Sequence, residues 1–147
     1  MHRFYNTALL IPFIMLLLTG CGGTYVDDKD NFERALRFDR PSDVQLVKST
    51  YWQSSHFTEE HCYYLELQSQ TNSAIFQTLT NLTPVVLNTL TNGQALVPET
   101  LVIDRPGWFT PKTVTDYELW TSTNEFIPFG IIRDLSEGKI FVYGQTL

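Results

Sequence analysis

The sequence predicts a single small α+β domain: a mainly antiparallel sheet with about two helices packed on one face. Three observations carry this reading. Residues 44–53 and 61–68 are rich in β-branched and aromatic side chains and flank a polar connection, the pattern of a hairpin. Residues 129–133 and 139–143 repeat that pattern around a connection, 134–138, ending on Gly138, where a left-handed backbone is often needed. Residues 69–82 change period: Ile75, Phe76, Leu79 and Leu82 recur at helical spacing, with Gln, Thr and Asn opposite. Consecutive hairpins join strands antiparallel, and a helix must bury its apolar stripe against the sheet.

The chain opens with His2 and Arg3, followed by an apolar run over residues 8–18. That run is too short to cross a bilayer, which takes about 20 residues. A basic start, a short apolar run and small residues before a cut site make a secretory signal. Here the cut site ends on a cysteine. Leu18-Thr19-Gly20-Cys21 resembles the lipobox of bacterial lipoprotein precursors, a resemblance confined to about the first 23 residues. It implies that residues 1–20 are a signal peptide removed from the mature chain. It also implies a covalent lipid, such as palmitate, on Cys21. The alternative is an ordinary signal peptide cut near Gly20 or Gly23. A single myristoyl chain binds only marginally, at about 0.8 kcal/mol per buried methylene, so two or three chains on one residue make a lasting membrane anchor. In lipoproteins of enteric-type bacteria an Asp after the cysteine resembles an inner-membrane retention signal. Gly22 stands there instead, so the resemblance points to the outer membrane, periplasmic face.

Residues 21–30 are small, polar and acidic and read as a tether ahead of a periplasmic domain spanning 31–147. Asp30 or Asn31 is placed to cap a short helix over 32–38, with Phe32, Ala35 and Leu36 on one face and Pro41 beyond it. Val44 and Leu46 alternate with polar neighbours. In 61–68, Tyr63, Leu65 and Leu67 point one way and Cys62, Tyr64 and Glu66 the other. Asn72 or Ser73 caps the second helix and Pro84 lies past its end, although its threonines are poor helix formers. Residues 85–90 fit helix or strand alike, and Asn92-Gly93 marks a turn. Leu101-Val102-Ile103 reads as a buried strand. Arg105-Pro106-Gly107 and Pro111 bracket Trp108-Phe109 in a rigid loop. Tyr117 and Leu119 alternate with Asp116, Glu118 and Trp120, as in a strand with one covered face.

Removing 20 of the 147 residues leaves about 127, the size of one domain, and 43% hydrophobic content suffices for a core. The formal charge is −6, and loss of Arg3 makes the mature chain more negative. Such a chain lacks the clustered Lys and Arg that nucleic-acid binding requires, and it carries no polybasic patch for anionic lipid. Of the two cysteines, the first is the lipid site, which leaves Cys62 as an odd thiol whose default state is burial. If Cys21 carried no lipid, Cys21 and Cys62 could pair.

One cluster invites a metal reading: His56-Phe57-Thr58-Glu59-Glu60-His61-Cys62, where His56, Glu60, His61 and Cys62 are possible zinc or copper ligands. The two imidazoles stand five residues apart, not the four of helical zinc motifs, so they would have to converge on a loop. The plainer reading is a polar hairpin loop running into a strand. A Cys62–imidazole pair would need the fold to align it. No Gly-X-Ser-X-Gly elbow or glycine-rich phosphate loop is present. Fourteen per cent aromatic content, with three Trp, gives material for an interface as well as a core. Trp108 in its proline-braced loop and Trp120 among polar neighbours are the candidate partner-binding residues.

The expected function is therefore non-enzymatic and without cofactor: a lipid-anchored module that binds an envelope protein, as an accessory subunit of an envelope machine or an inhibitor or immunity-type protein. The alternatives are a small metal-binding protein or metal-dependent enzyme using residues 56–62, and a cell-wall glycan-binding module using exposed Trp.

Overall fold

The computed structural model describes residues 22–55, 59–69, 72–83, 85–88, 101–110, 117–124, 126, 128–135 and 137–147. The elements run β1 (Gly23–Val26), α1 (Asn31–Leu36), β2 (Val44–Gln53), β3 (His61–Ser69), α2 (Asn72–Leu82), β4 (Val85–Asn88), β5 (Tyr117–Ser122), β6 (Phe129–Asp134) and β7 (Lys139–Thr146). The strands form one seven-stranded sheet in the order β1-β2-β3-β7-β6-β5-β4. Every neighbouring pair is antiparallel. A small, mainly antiparallel domain with two helices among the described residues is thus what the chain forms.

Both anticipated hairpins are present, β2–β3 and β6–β7, and β7 then inserts between β3 and β6 as a central strand. Gly138 closes the second hairpin at φ +68°, and the Glu137 amide donates to Asp134 Oδ1 at 2.9 Å across the same turn. The alternation of β2 breaks where a bulge intervenes between Leu46 and Lys48. Before the bulge, Val44 and Leu46 point into the core; after it, Ser49 and Tyr51 do. One extra residue switches the inward parity from even to odd.

Two hydrophobic clusters lie on the strands. The first gathers Tyr51, Tyr63, Leu65, Leu67, Ile131, Ile140 and Val142 with Phe32, Ala35 and Leu36 of α1 and Ile75 and Leu79 of α2. The second gathers Cys62, Tyr64, Leu119, Ile132, Phe141 and Tyr143 with Phe109. Fully burying a side chain such as Phe32 contributes about 1.5–3 kcal/mol. Two adjacent cross-strand rows are close-packed through glycine. Tyr63 faces Gly144, and Tyr143 faces Gly130. A Cβ on Gly144 would collide with the Tyr63 hydroxyl and the ring carbon that bears it, and one on Gly130 with the same end of Tyr143, so each tyrosine occupies the space a side chain would need.

Four expectations are corrected. Residues 22–30 are not a free tether, because Gly23–Val26 is a strand paired with β2. Residues 101–103 form no strand. Their backbone groups go to side chains instead, with the Val102 amide donating to Gln145 Oε1 (2.6 Å) and Ile103 O accepting from the Tyr64 hydroxyl (3.2 Å). α1 has no side-chain cap from Asp30, and it ends at Leu36 because Arg37 turns left-handed at φ +62°. β5 is covered on both sides: Leu119 belongs to the second cluster, and Trp120 packs against the first.

α2 forms over the residues its periodicity predicts. Two of its threonines turn back onto carbonyls one helical turn earlier, Thr78 to Ala74 (3.1 Å) and Thr80 to Gln77 (3.0 Å), so these hydroxyls are satisfied within the helix. No helix among the described residues is long and apolar enough to cross a membrane.

Candidate functional site

The site is built at the start of the domain. β1 has only four residues, yet several polar contacts fix it. Asn31, fully buried at the first position of α1, donates from its side-chain amide to Tyr25 O at 2.9 Å and to Ser49 Oγ at 3.0 Å. Asp27 accepts from the Ser49 amide at 2.9 Å and returns its own amide to Ser49 O at 2.8 Å. Arg34 bridges to Asp28 at 2.9 Å and lies 4.5 Å above the Tyr25 ring. The Asp30 amide, and then the Arg34 guanidinium, hold the Asp28 carboxyl below its ordinary range. Gly22 sits so close to Ser54 and Ser55 that a Cβ would lie 2.2 Å from the Ser55 nitrogen. A side chain there is excluded by backbone, which does not yield cheaply.

Beside this edge, between the C-terminal ends of α1 and α2, lies a cleft of ≈ 310 Å³. Small-molecule sites begin at about that size. Leu36, Tyr63, Leu82 and Phe129 supply apolar walls, and Arg37, His61, Gln145 and Thr146 supply polar ones. Burial pushes the Tyr63 phenol far above its ordinary range, so it is neutral at physiological pH. His61 is stacked between Tyr51 and Tyr63, with ring centroids 5.9 and 6.0 Å away. Its Nδ1 is 2.7 Å from Glu59 O. A carbonyl only accepts, so Nδ1 carries a proton in this contact.

The proposed metal cluster is only partly visible. His61 and Cys62, adjacent in β3, project from opposite faces: His61 stacks with residues of the first cluster, and Cys62 is fully buried in the second. Desolvation pushes the Cys62 thiol up, which disfavours the thiolate, and no thiol–imidazole pair forms between these neighbours. Glu60 is half-buried, and His56 lies outside the described residues, as does Cys21. Among the described residues no three His, Cys, Asp or Glu side chains gather as metal ligands do.

The two tryptophans prove different in kind. Trp108 is half-buried and packs edge-on against Phe109 at 5.7 Å, covering the second cluster. Trp120 meets Phe76 of α2 edge-on at 5.4 Å. Its Nε1 is buried with no hydrogen-bond partner among the described residues. Arg133 also lies over the Phe76 ring, at 5.1 Å, and reaches Glu118 at 3.4 Å. Trp120 therefore serves packing beneath α2 and does not face outward.

Sequence reasoning missed the clamp on β1 and the cleft. The one advance signal for the clamp was Asn31 beside apolar Phe32, an amide that could only be buried if fully bonded. The cleft depends on the relative placement of α1, α2 and β7 and leaves no local pattern. Neither protein-family models nor curated proteins nor solved structures give a match to this chain.

Proposed function

We infer that the protein is a bacterial envelope lipoprotein, lipid-anchored through Cys21 at the periplasmic face of the outer membrane. In this reading its domain is a non-enzymatic module that binds another envelope protein. One observation carries the anchor: Leu18-Thr19-Gly20-Cys21 ends a single residue before the chain enters β1. Both helices are read as lying on the same side of the sheet, the side of Tyr63, Leu65 and Leu67.

The binding role is supported by β4. It ends the sheet order on its side among the described residues, and Val86 and Leu87 are 48% and 52% exposed. Two neighbouring exposed apolar side chains give a partner protein an apolar contact. Trp108, half-exposed in its loop, remains a second contact candidate.

The experiment is crosslinking in living cells with the tagged full-length protein and a Cys21→Ala control, followed by mass spectrometry. One abundant envelope protein recovered from the wild type and lost in the control is the expected result. Recovery of no specific protein would reject the binding role. Zinc or copper co-purifying, or retention on cell-wall glycan, would then move the assignment to the metal or glycan reading.

A further inference from the structure

We propose that the end of the sheet carrying Gly22 is a membrane-seated surface, held flat on the bilayer with Phe126 entering the headgroup region. This rests on the lipoprotein reading and goes beyond it, because it assigns the orientation of the domain and the side chains that touch lipid.

The argument begins with the length of the leash. Cys21 and Gly22 are neighbours, so their Cα atoms are about 3.8 Å apart. A ten-residue tether would have reached up to about 35 Å, enough to lift the domain clear. None exists, because Gly22 is wedged against Ser54 and Ser55 and β1 is fastened by Asn31, Asp27 and Arg34. An acyl chain on Cys21 buried in the bilayer therefore brings this end of the sheet to the headgroups.

The pairing register then shows what else shares that end. Gly23 pairs with Gln53, Gln53 with His61, and His61 with Thr146. The Gln145 amide donates to Pro128 O at 2.9 Å, which places the β5–β6 connection beside the end of β7. Val85 pairs with Ser122, which brings the C-terminus of α2 to the same end. Among the described residues the two most exposed large hydrophobic side chains are Phe126, at 91%, and Leu147, at 74%. Both lie here, with Leu82 at 44%. Phe126 is presented by a formed turn, its amide donating to Asn124 Oδ1 at 3.0 Å while the Asn124 amide donates to Ser122 Oγ at 3.0 Å.

A bilayer fits this surface better than a protein partner does, because the covalent anchor leaves at the same place. The attraction is apolar. Phe126, Leu147 and Leu82 supply it, while Glu59 and Glu60 stand against Arg37 at the same end. The cleft shares His61 and Thr146 with this end of the sheet.

The test uses the full-length protein purified from membranes and reconstituted in phosphatidylcholine–phosphatidylethanolamine vesicles containing a headgroup-proximal spin-labelled quencher. Phe126→Cys and, at the opposite end, Leu135→Cys carry an environment-sensitive fluorophore. Both sites are exposed, so labelling leaves the fold intact, and buried Cys62 stays unlabelled. Intact mass reads acylation in the same samples. A side chain at the headgroup–acyl boundary, about 5–10 Å deep, should be quenched roughly twofold or more beyond the control. Acylated protein with equal quenching at both sites would overturn the seating and leave the anchor standing. Protein without acyl mass and with no quenching at position 126 would overturn the lipoprotein reading and the seating together.

Discussion

The buried side-chain amide of Asn31 donates to the backbone carbonyl of Tyr25 at 2.9 Å, fastening the first strand to the first helix. The same amide reaches Ser49 Oγ, so one residue joins β1, α1 and β2. Asn31→Ala removes both bonds and should cost about 1–3 kcal/mol, read as a lowered urea midpoint. Backbone amides of β1 should exchange hydrogen faster in the variant while those of β3 and β7 keep pace with the global change. Unaltered exchange in β1 would show that its fastening lies elsewhere.

The tyrosine–glycine rows give a second prediction. Gly144→Ala forces a methyl into the Tyr63 ring, and Gly130→Ala into that of Tyr143. Each substitution should destabilise by about 1–3 kcal/mol, the usual range for overpacking a filled site. Equilibrium urea unfolding measures it. A neutral result at Gly144 would mean that the Tyr63 ring swings away freely, and the cleft it lines would then be adaptable.

The buried phenols predict alkaline sensitivity. Desolvation raises Tyr63 and Tyr64 far above the ordinary 10.0, and Tyr143 is pushed up to about 12. Below pH 10 these rings are neutral in both folded and unfolded chains, so their contribution is fully present. Above pH 10 the unfolded chain loses phenolic protons that the folded one keeps, and stability falls through pH 12. Melting temperature should drop over that interval, with tyrosinate absorbance rising as the protein unfolds. A full tyrosinate signal from folded protein at pH 11 would contradict the burial.

Cys62 should behave as a core thiol. Burial beneath residues 101–103 and its raised pKa suppress the thiolate, the reactive form. Maleimide or a disulfide reagent at pH 8 should leave it unlabelled in folded protein and modify it fully in guanidinium. Rapid labelling of the native state would reopen a chemical role for the 56–62 stretch.

The hairpins, α2 and the inward alternation of β3 were legible in the sequence because each follows from a local period. What escaped has non-local causes. β1 looked like a linker because Gly22 and Gly23 precede it and Asp27, Asp28 and Asp30 follow, which hid the strand-forming Thr24-Tyr25-Val26 between them. Its fastening comes from Asn31 and Ser49, and Asn31 beside apolar Phe32 is the one local hint of it. Leu101-Val102-Ile103 has strand composition, but Gln145 and Tyr64 take its backbone bonds. Trp120 has polar neighbours in sequence, yet α2 lies over it and Phe76 covers its ring. Of the candidate residues, Cys21 and His56 lie outside the described residues. His61 and Cys62 are adjacent in sequence, but strand alternation sends them to opposite faces of β3.

The central claim is that this domain is tied to a membrane through Cys21 with no slack before its first strand. The most direct measurement is metabolic labelling of cells with an alkyne-bearing fatty acid, comparing wild type with Cys21→Ala and reading intact mass from the membrane fraction. The account predicts acyl mass on a chain beginning at Cys21 and a variant that is unlabelled and released from the membrane. Wild-type protein recovered without acyl groups, or cut at another residue, would contradict it.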